Sequence, residues 1–241
     1  MCGRFAQYTA LERLQEIFGI DTVTCEQIPD YNTAPSQEVL AVIEHEGERR
    51  LGVLSWGLIP FWSKNPSEAR RPINARSETA HEKPTFRHAF QGQRCLILAD
   101  GFYEWQKTAD GPKQPFFIQI PSRGPFAFAG LWDIWKDTSN GNPPSAEQSH
   151  TENRIRSCTI LTAASVGPLR KIHDRMPVVL KPHIHDAWLD PDFQDVEGVK
   201  QILQENRVAD FVAHPVSRRV NSVKNQGEDL IKPIPPGTPS P

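Results

Sequence analysis

The fold is read most directly from residues 94–105, Arg94-Cys95-Leu96-Ile97-Leu98-Ala99-Asp100-Gly101-Phe102-Tyr103-Glu104-Trp105. The apolar run over 94–99 predicts a buried strand, and Asp100-Gly101 predicts a turn or bend. Residues 102–105 resume an extended, aromatic-rich segment. Because side chains alternate along a strand, Glu104 shares a face with Phe102. A carboxylate among aromatic rings has a raised pKa and can act as a general acid or base, whereas the alternative is an edge-strand glutamate in water.

Further strands and a few helices surround this stretch. Alternating and apolar runs predict strands at 38–45, 50–56, 115–120, 126–132 and 156–162, the first two forming a hairpin around 46–48. Helical periodicity predicts helices at 9–18, 182–189 and 196–206, and Thr9 and Glu12 have the spacing of a capping box at the first of them. The pattern predicts an α+β chain with a curved, largely antiparallel sheet.

Composition and length indicate a single globular domain. The chain has 241 residues, of which 38% are hydrophobic, enough for a sizeable core. The polar stretch 137–153 is interpreted as an exposed loop within a domain spanning 1–232, and the proline-rich end 233–241 as a disordered tail. No apolar run approaches the ~18 residues of a membrane span. Four scattered cysteines and the lack of a secretory signal predict free thiols and a cytoplasmic location.

Charge is uneven along the chain. The net charge is −2, yet residues 62–94 contain seven basic and three acidic residues. Such a patch can follow a phosphate backbone, and an exposed Trp62 beside it could stack on unpaired bases. The alternatives are a solvated face and a tryptophan in the core. Within the patch, Asn74 and Arg76 point to the same face if 72–76 is a strand, and asparagine in a strand indicates a specific hydrogen bond.

The N-terminus, Met1-Cys2-Gly3-Arg4, carries reactive groups. If Met1 is removed, Cys2 presents a free α-amine and a thiol, with reference pKa values of about 8 and about 8.5. The amine can form a Schiff base with an aldehyde, after which the thiol can close a thiazolidine ring. Alternatively, the thiol attacks an acyl group with the amine as base. The plainest alternative is an unreactive terminal residue.

Histidine side chains can transfer protons and bind metal ions. His173, in Ile172-His173-Asp174-Arg175-Met176-Pro177, can exchange a proton near pH 7, although a structural role is the alternative. His183 and His185 are two residues apart on a predicted helix, which is the wrong spacing for one helical face, so a zinc site is rejected. Neither a metal nor a cofactor is expected.

Four separated stretches closely resemble the SRAP (SOS-response-associated peptidase) family. They are Met1–Phe5, Ile73–Arg76, Ala99–Trp105 and Ile172–Pro177, in this order. Asn32–Pro35, Trp56–Leu58, Lys113–Phe117, His214–Ser217 and the stretch 221–227 also resemble family segments, the last of them bacterial members. The resemblance covers residues 1–232 apart from the 137–153 loop. It implies one α+β domain with a barrel-like sheet and peripheral helices.

The resemblance also implies an activity: covalent capture of abasic sites in single-stranded DNA during the DNA damage response. Cys2 would form the Schiff base and then the thiazolidine, and Asn74 would position the Cys2 terminus. Glu104 would act as acid and base in opening and closing the sugar ring. His173 would assist proton transfer at the sugar and reversal of the crosslink.

For DNA binding, the resemblance implies contacts with phosphates and with the strand around the lesion. Arg4 and Arg76 would hold phosphates, and Trp62 would line the strand together with the Asn32–Pro35 loop. The implied DNA-binding set is Arg4, Asn32, Pro35, Trp62, Arg76 and Lys83. The expected partner is single-stranded DNA containing abasic sites, and the expected oligomeric state is a monomer.

Three other functions remain open at this point. Glutamine amidotransferases also begin Met-Cys-Gly, but the Gly-His-Thr-Arg-type segment that follows in those proteins is absent from this chain. A cysteine peptidase is a second alternative, because Cys2, His173 and Asn74 are residue types of such a triad. The third is a non-catalytic nucleic-acid-binding module, which predicts salt-sensitive DNA binding that survives Cys2→Ser.

Overall fold

The computed structural model describes residues 2–108, 111–137 and 154–235. The strands are β1 Phe5–Gln7, β2 Thr22–Val23, β3 Asp30–Thr33, β4 Glu38–His45, β5 Glu48–Trp56, β6 Asn74–Arg76, β7 Arg94–Ala99, β8 Gly101–Gln106, β9 Gln114–Gln119, β10 Phe126–Lys136, β11 Arg154–Ala164, β12 Arg175–Pro177, β13 Val179–Leu180 and β14 Val212–Pro215. The α-helices are α1 Leu11–Phe18, α2 Arg87–Gly92, α3 His185–Leu189 and α4 Val196–Glu205. Short 3₁₀ helices occupy Gly167–Lys171, Pro182–Ile184, Arg218–Asn221 and Glu228–Ile231.

A barrel forms the centre of the molecule. Its strands follow the order β5-β4-β7-β10-β11, and each of these neighbours is antiparallel. The barrel closes where β11 pairs in parallel with β5, with Ser157 opposite Ser55 and Cys158 opposite Trp56. At Gly130 in β10 a Cβ atom would lie 2.7 Å from the sulfur of Cys95. Only glycine lets the strands pack this closely.

A second antiparallel sheet, in the order β14-β9-β8-β1-β3, packs beside the barrel. The chain passes from barrel to second sheet at Asp100, between β7 and β8. Asp100 fixes the corner, because its carboxylate accepts hydrogen bonds from the backbone N–H of Tyr8 at 2.6 Å and of Thr9 at 3.0 Å, and from the Thr9 hydroxyl. The predicted bend at residues 100–101 is therefore the link between the two sheets.

The predicted first helix is confirmed, but its predicted capping box is wrong. Helix α1 starts at Leu11 after Ala10, and no side chain caps it. The Thr9 hydroxyl, which a capping box would have used, donates to Asp100 instead. The helix buries Leu14 and Phe18 and ends at Gly19, whose φ of 59° is the left-handed conformation that favours glycine.

The predicted strands and the two later helices are also present. The hairpin of β4 and β5 turns at Glu46 and Gly47, both with positive φ. The predicted helix at 182–189 is a 3₁₀ turn followed by α3, with Trp188 fully buried as expected. The fold is thus a single α+β domain with a barrel-like sheet and few helices, as predicted.

Two predicted segments fall largely outside the described residues. Of the expected exposed loop at 137–153 only its first residue is described, and of the expected tail only 233–235. In that short part, the backbone N–H of Ile234 donates to the carbonyl of Pro215. Over the described ranges, no helix is both long and apolar enough to cross a membrane.

Candidate functional site

Cys2 lies in the core at the start of the strand β1. The segment before β1 continues the pairing with β8, since the N–H of Tyr103 donates to the carbonyl of Arg4 at 2.9 Å. This pairing places Cys2 in the interior, where its side chain is fully buried. Burial raises the pKa of its thiol well above the ordinary value, and the negative charge of Glu104 raises it further. The thiol is therefore protonated at neutral pH.

Asn74 contacts Cys2 directly. It begins strand β6, which pairs in parallel with β11 and places Asn74 opposite Ile160. Its side-chain Nδ2 donates to the carbonyl of Cys2 at 2.7 Å. The other amide atom, Oδ1, is buried and has no hydrogen-bond partner among the described residues. Asn74, a residue type disfavoured in strands, thus makes a specific hydrogen bond, and its Oδ1 remains available as an acceptor.

Glu104 is buried, so the interpretation as an edge-strand residue in water is wrong. Strand β8 is flanked by β1 and β9, and Glu104 is 4% exposed. Burial raises the pKa of its carboxyl, and nearby positive charges, His173 among them, act in the opposite direction. A carboxyl in this environment can hold a proton above the usual carboxylate range and exchange it with a bound group.

Glu104 and His173 line one recess. The loop over 165–174 closes this recess, because the N–H of Ser165 donates to the carbonyl of Asp174 at 2.9 Å. The Nδ1 atom of His173 accepts from the N–H of Arg175 at 3.0 Å. The remaining lining is mostly apolar and comprises Phe102, Ile118, Ser165, Leu169, Ile172, Arg175 and Met176. We call this cavity the Glu104 recess.

The structure therefore brings the four predicted catalytic residues together. Asn74 is bonded to Cys2, the charge of Glu104 acts on the Cys2 thiol, and Glu104 shares its recess with His173. Sequence reasoning did not single out Ser165 or Arg175. Arg175 lies within the Ile172–Pro177 motif, whereas no sequence pattern around Ser165 identifies that residue.

Arg4 and Asn32 connect the N-terminus to the C-terminal segment. Nη1 of Arg4 donates to Oδ1 of Asn32 at 2.6 Å and to the carbonyl of Val220 at 2.7 Å. Asn32 is fully buried, and its Nδ2 donates to the carbonyls of Ser222 and Asn225, at 2.9 Å each. The Asn32 side chain is thus part of the interior, while Pro35 in the same loop is exposed.

An open groove lies around Phe61 and Trp62. These side chains are 48% and 53% exposed, so the interpretation of Trp62 as a core residue is wrong. The loop that carries them is fixed to the barrel, because the N–H of Phe61 donates to the buried carboxylate of Asp133 in β10 at 2.9 Å. The groove is lined by Phe61, Trp62, His81, Pro84, Arg87, His88 and Gln91. We call it the Trp62 groove.

The other two predicted DNA-binding residues are on the surface. Arg76, at the end of β6, and Lys83, beside Pro84 of the Trp62 groove, are both exposed. Their charges are therefore available to a polyanion. Neither is bonded to Cys2 or lines the Glu104 recess.

The described residues do not form a metal centre. Nowhere in 2–108, 111–137 or 154–235 do three His, Cys, Asp or Glu side chains cluster in a way that could hold a metal ion. His183 contacts the side chain of Asn206 at 3.0 Å, and His185 is buried and stacked on Phe18. Burial lowers the pKa of His185 to about 4, so this histidine is neutral at pH 7.

Comparisons with known proteins identify relatives of this chain. The family model "SOS response associated peptidase (SRAP)" matches residues 1–223. The chain is 40% identical over 234 residues to the abasic site processing protein YoqW of Bacillus subtilis, covering 96% of this chain and 99% of that protein. It is 35% identical over 241 residues to the abasic site processing protein YedK of Escherichia coli, covering 97% and 100%.

A solved structure has the same fold. An X-ray structure of a Bordetella bronchiseptica protein superposes with a TM-score of 0.71 at 27% identity, covering 90% of this chain and 100% of that one. The matched family segment includes Cys2, Asn74, Glu104 and His173. With the family model matching residues 1–223, the chain belongs to the SOS response associated peptidase (SRAP) family.

Proposed function

We propose that this protein processes abasic sites in single-stranded DNA by forming a thiazolidine crosslink through Cys2 after removal of Met1. The proposal rests mainly on the contact between Asn74 and Cys2. The Asn74 amide holds the Cys2 carbonyl at 2.7 Å, and its buried Oδ1 has no partner among the described residues. A free α-amine on Cys2 is a donor that this acceptor can orient. The relatives named as abasic site processing proteins support the same substrate.

The chemistry follows from the two nucleophiles on one residue. An abasic deoxyribose equilibrates with an open-chain aldehyde. The amine of Cys2 adds to C1′ of that aldehyde, and loss of one water leaves an imine. The thiol sulfur then bonds to the imine carbon while its proton passes to the nitrogen, which closes a five-membered ring. The net change is the joining of protein and DNA with loss of one water.

Glu104 and His173 supply the proton transfers. With its raised pKa, Glu104 can hold a proton for the oxygen that leaves as water and can accept a proton when the amine adds. His173, in the same recess, can exchange a proton with the sugar oxygen that ring opening releases. Both groups also suit the reverse reaction, in which the ring reopens.

Strand binding is assigned to the Trp62 groove and the exposed basic residues. Unpaired bases can stack on the exposed rings of Phe61 and Trp62. The paired bases of a duplex would not be available for this stacking. Arg76 and Lys83 would neutralise phosphates, and Pro35 would contact the strand at the surface. Asn32 is buried, so its contribution would act through Arg4, whose guanidinium it holds. The protein would act as a monomer in the cytoplasm, associated with damaged DNA.

The thiol environment favours this function over a cysteine peptidase or an amidohydrolase. Both of those enzymes attack with a thiolate, which needs a lowered pKa. Here burial and the charge of Glu104 raise the pKa of the Cys2 thiol. A thiol that stays protonated until the imine forms suits amine-first chemistry. Removal of a single methionine requires no peptidase activity from the fold itself.

Intact-mass spectrometry of the purified protein with a single-stranded abasic oligonucleotide tests the proposal. We expect a protein lacking Met1, and a second species heavier by the oligonucleotide minus one water that survives denaturation. Cys2→Ala should abolish this stable species. Cys2→Ser keeps the amine but lacks the thiol, and should give only an adduct that is lost on heating.

Three outcomes would contradict the proposal. A stable adduct at full yield with Cys2→Ala would exclude the thiazolidine. A wild-type protein without Met1 that forms no adduct would exclude covalent capture and leave the binding module. An adduct with an oligonucleotide carrying a reduced, aldehyde-free abasic analogue would exclude the aldehyde as the electrophile.

A further inference from the structure

Ser165 places an unpaired hydroxyl in the Glu104 recess. The residue is 4% exposed, and its Oγ has no hydrogen-bond partner among the described residues. It lines the recess together with Glu104 and His173. A buried hydroxyl without a partner destabilises a fold, so its presence beside two titratable groups calls for an explanation.

The backbone around Ser165 fixes the position of this hydroxyl. Its N–H donates to the carbonyl of Asp174 at 2.9 Å, and its carbonyl accepts from Nε of Arg170 at 3.0 Å. The residue follows directly after β11, so one side is anchored in the barrel. The main-chain hydrogen bonds of Ser165 thus fix its position, and its side-chain hydroxyl remains able to form a hydrogen bond with a bound group.

A second polar group at the recess also lacks a partner among the described residues. Arg175 lines the recess and forms a bidentate pair with Glu78, at 2.7 and 2.9 Å, yet its buried Nε has no hydrogen-bond partner in the described part of the chain. Glu104 and Ser165 are buried, whereas His173 and Arg175 are partly exposed, so the recess reaches the surface beside these two residues. Its side chains leave no room for a water molecule, so a small polar group that reaches Glu104, His173 and Ser165 would displace part of the apolar lining.

We propose that Ser165 is a positioning residue that hydrogen-bonds the C4′ hydroxyl released when the abasic deoxyribose opens. This inference rests on the proposed function and adds a residue to it. A hydroxyl can both donate to and accept from Ser165, which matches a sugar hydroxyl and not a phosphate, for which a cation would be the better partner. Holding that hydroxyl keeps the sugar from re-closing, so the aldehyde stays available to the Cys2 amine.

The test compares two substrates and two serine variants. One oligonucleotide carries a natural abasic site, and the other carries an aldehyde tether of the same length without the hydroxyl. We expect Ser165→Ala to slow crosslinking to the abasic oligonucleotide by about 5- to 10-fold, the effect of one hydrogen bond. On the tether lacking the hydroxyl, the variant should react at the wild-type rate. Its melting temperature should be equal to or higher than that of wild type, because an unsatisfied buried hydroxyl has been removed.

Ser157→Ala is the matched control. Ser157 lies within β11, the strand that Ser165 directly follows. It is fully buried, and its hydroxyl accepts from the N–H of Ile59 at 2.8 Å. This variant should lower the melting temperature without distinguishing the two substrates.

Two results would overturn the inference. Equal slowing of Ser165→Ala on both substrates, or a loss of stability like that of Ser157→Ala, would make Ser165 structural. No adduct between wild type and either oligonucleotide would remove the proposed function, and this inference with it.

Discussion

The Glu104 recess and the Trp62 groove differ in nearly every physical respect. The recess is narrow, lined mostly by apolar side chains, and holds a carboxyl whose pKa is raised by burial. The groove is open and presents two aromatic rings that are about half exposed, with Arg87 and two histidines around them. The first environment suits proton transfer and bond formation, and the second suits reversible binding of a flexible polyanion.

Under the proposed function, capture and binding would be separable properties. A group in the recess would act on the rate at which a bound aldehyde becomes a crosslink. A group on the groove or the basic surface would act on how long the strand stays bound. Two measurements separate these effects for each substitution: the affinity for an undamaged oligonucleotide and the crosslinking rate at saturating abasic oligonucleotide.

Glu104→Gln should have the largest effect on rate. Loss of a general acid and base slows a reaction by about 10²- to 10⁴-fold, so we expect crosslinking to fall by roughly 100-fold or more. Affinity for undamaged DNA should change by less than about twofold, because Glu104 is buried away from the groove. Equal losses of rate and affinity would instead make Glu104 a structural residue.

The same variant changes how stability depends on pH. The pKa of Glu104 is raised in the folded state, so its stabilising contribution is complete below the unfolded pKa and is lost as pH rises through the folded pKa. Chemical denaturation across pH 4–8 should therefore show a shallower fall in the free energy of unfolding for Glu104→Gln than for wild type.

Trp62→Ala should reduce affinity and leave the chemistry intact. Stacking of one base on an aromatic side chain contributes about 1–3 kcal/mol, so single-stranded DNA should bind about 5- to 160-fold more weakly. The saturated crosslinking rate should match wild type, and Trp62→Phe should recover most of the affinity. A slower rate at saturation would mean that the groove and the recess act as one site.

Arg76→Ala should have the smallest effect, a several-fold loss of affinity. Each phosphate contact contributes about 0.7 to the salt dependence of single-strand binding, so the slope of log affinity against log salt should become shallower by that amount. Arg76→Lys keeps the charge and should keep the slope. An unchanged slope for the alanine variant would remove Arg76 from the phosphate contacts.

Much of the fold was predictable because local signals agreed with the tertiary structure. The period of Leu11, Leu14 and Phe18 gave the first helix, and the bend at 100–101 lies where β7 leaves the barrel for the second sheet. The predicted capping box does not form because the Thr9 hydroxyl donates a hydrogen bond to Asp100, 91 residues away in the sequence. No local pattern could have predicted that competition.

The site was predictable in its residue types more than in its geometry. Reactive chemistry and resemblance named Cys2 and Glu104, but only the closed barrel and the adjoining sheet bring them together. Asn32 illustrates the limit, because its hydrogen bonds to residues 222 and 225 span about 190 positions of sequence. Ser165 could not be predicted for a related reason, since a serine is distinguished only by its burial and by the lack of a partner among the described residues.

The burial of Cys2 affects how its thiol reacts with oxidants and electrophiles in the cell. Oxidants and alkylating agents react with accessible thiolates, and this thiol is neither accessible nor ionised. Shielding of this kind would spare the residue from sulfenic acid formation and from adventitious aldehydes that do not reach the buried thiol. The same packing that makes Cys2 a poor general nucleophile would keep its thiol unmodified until a damaged strand binds.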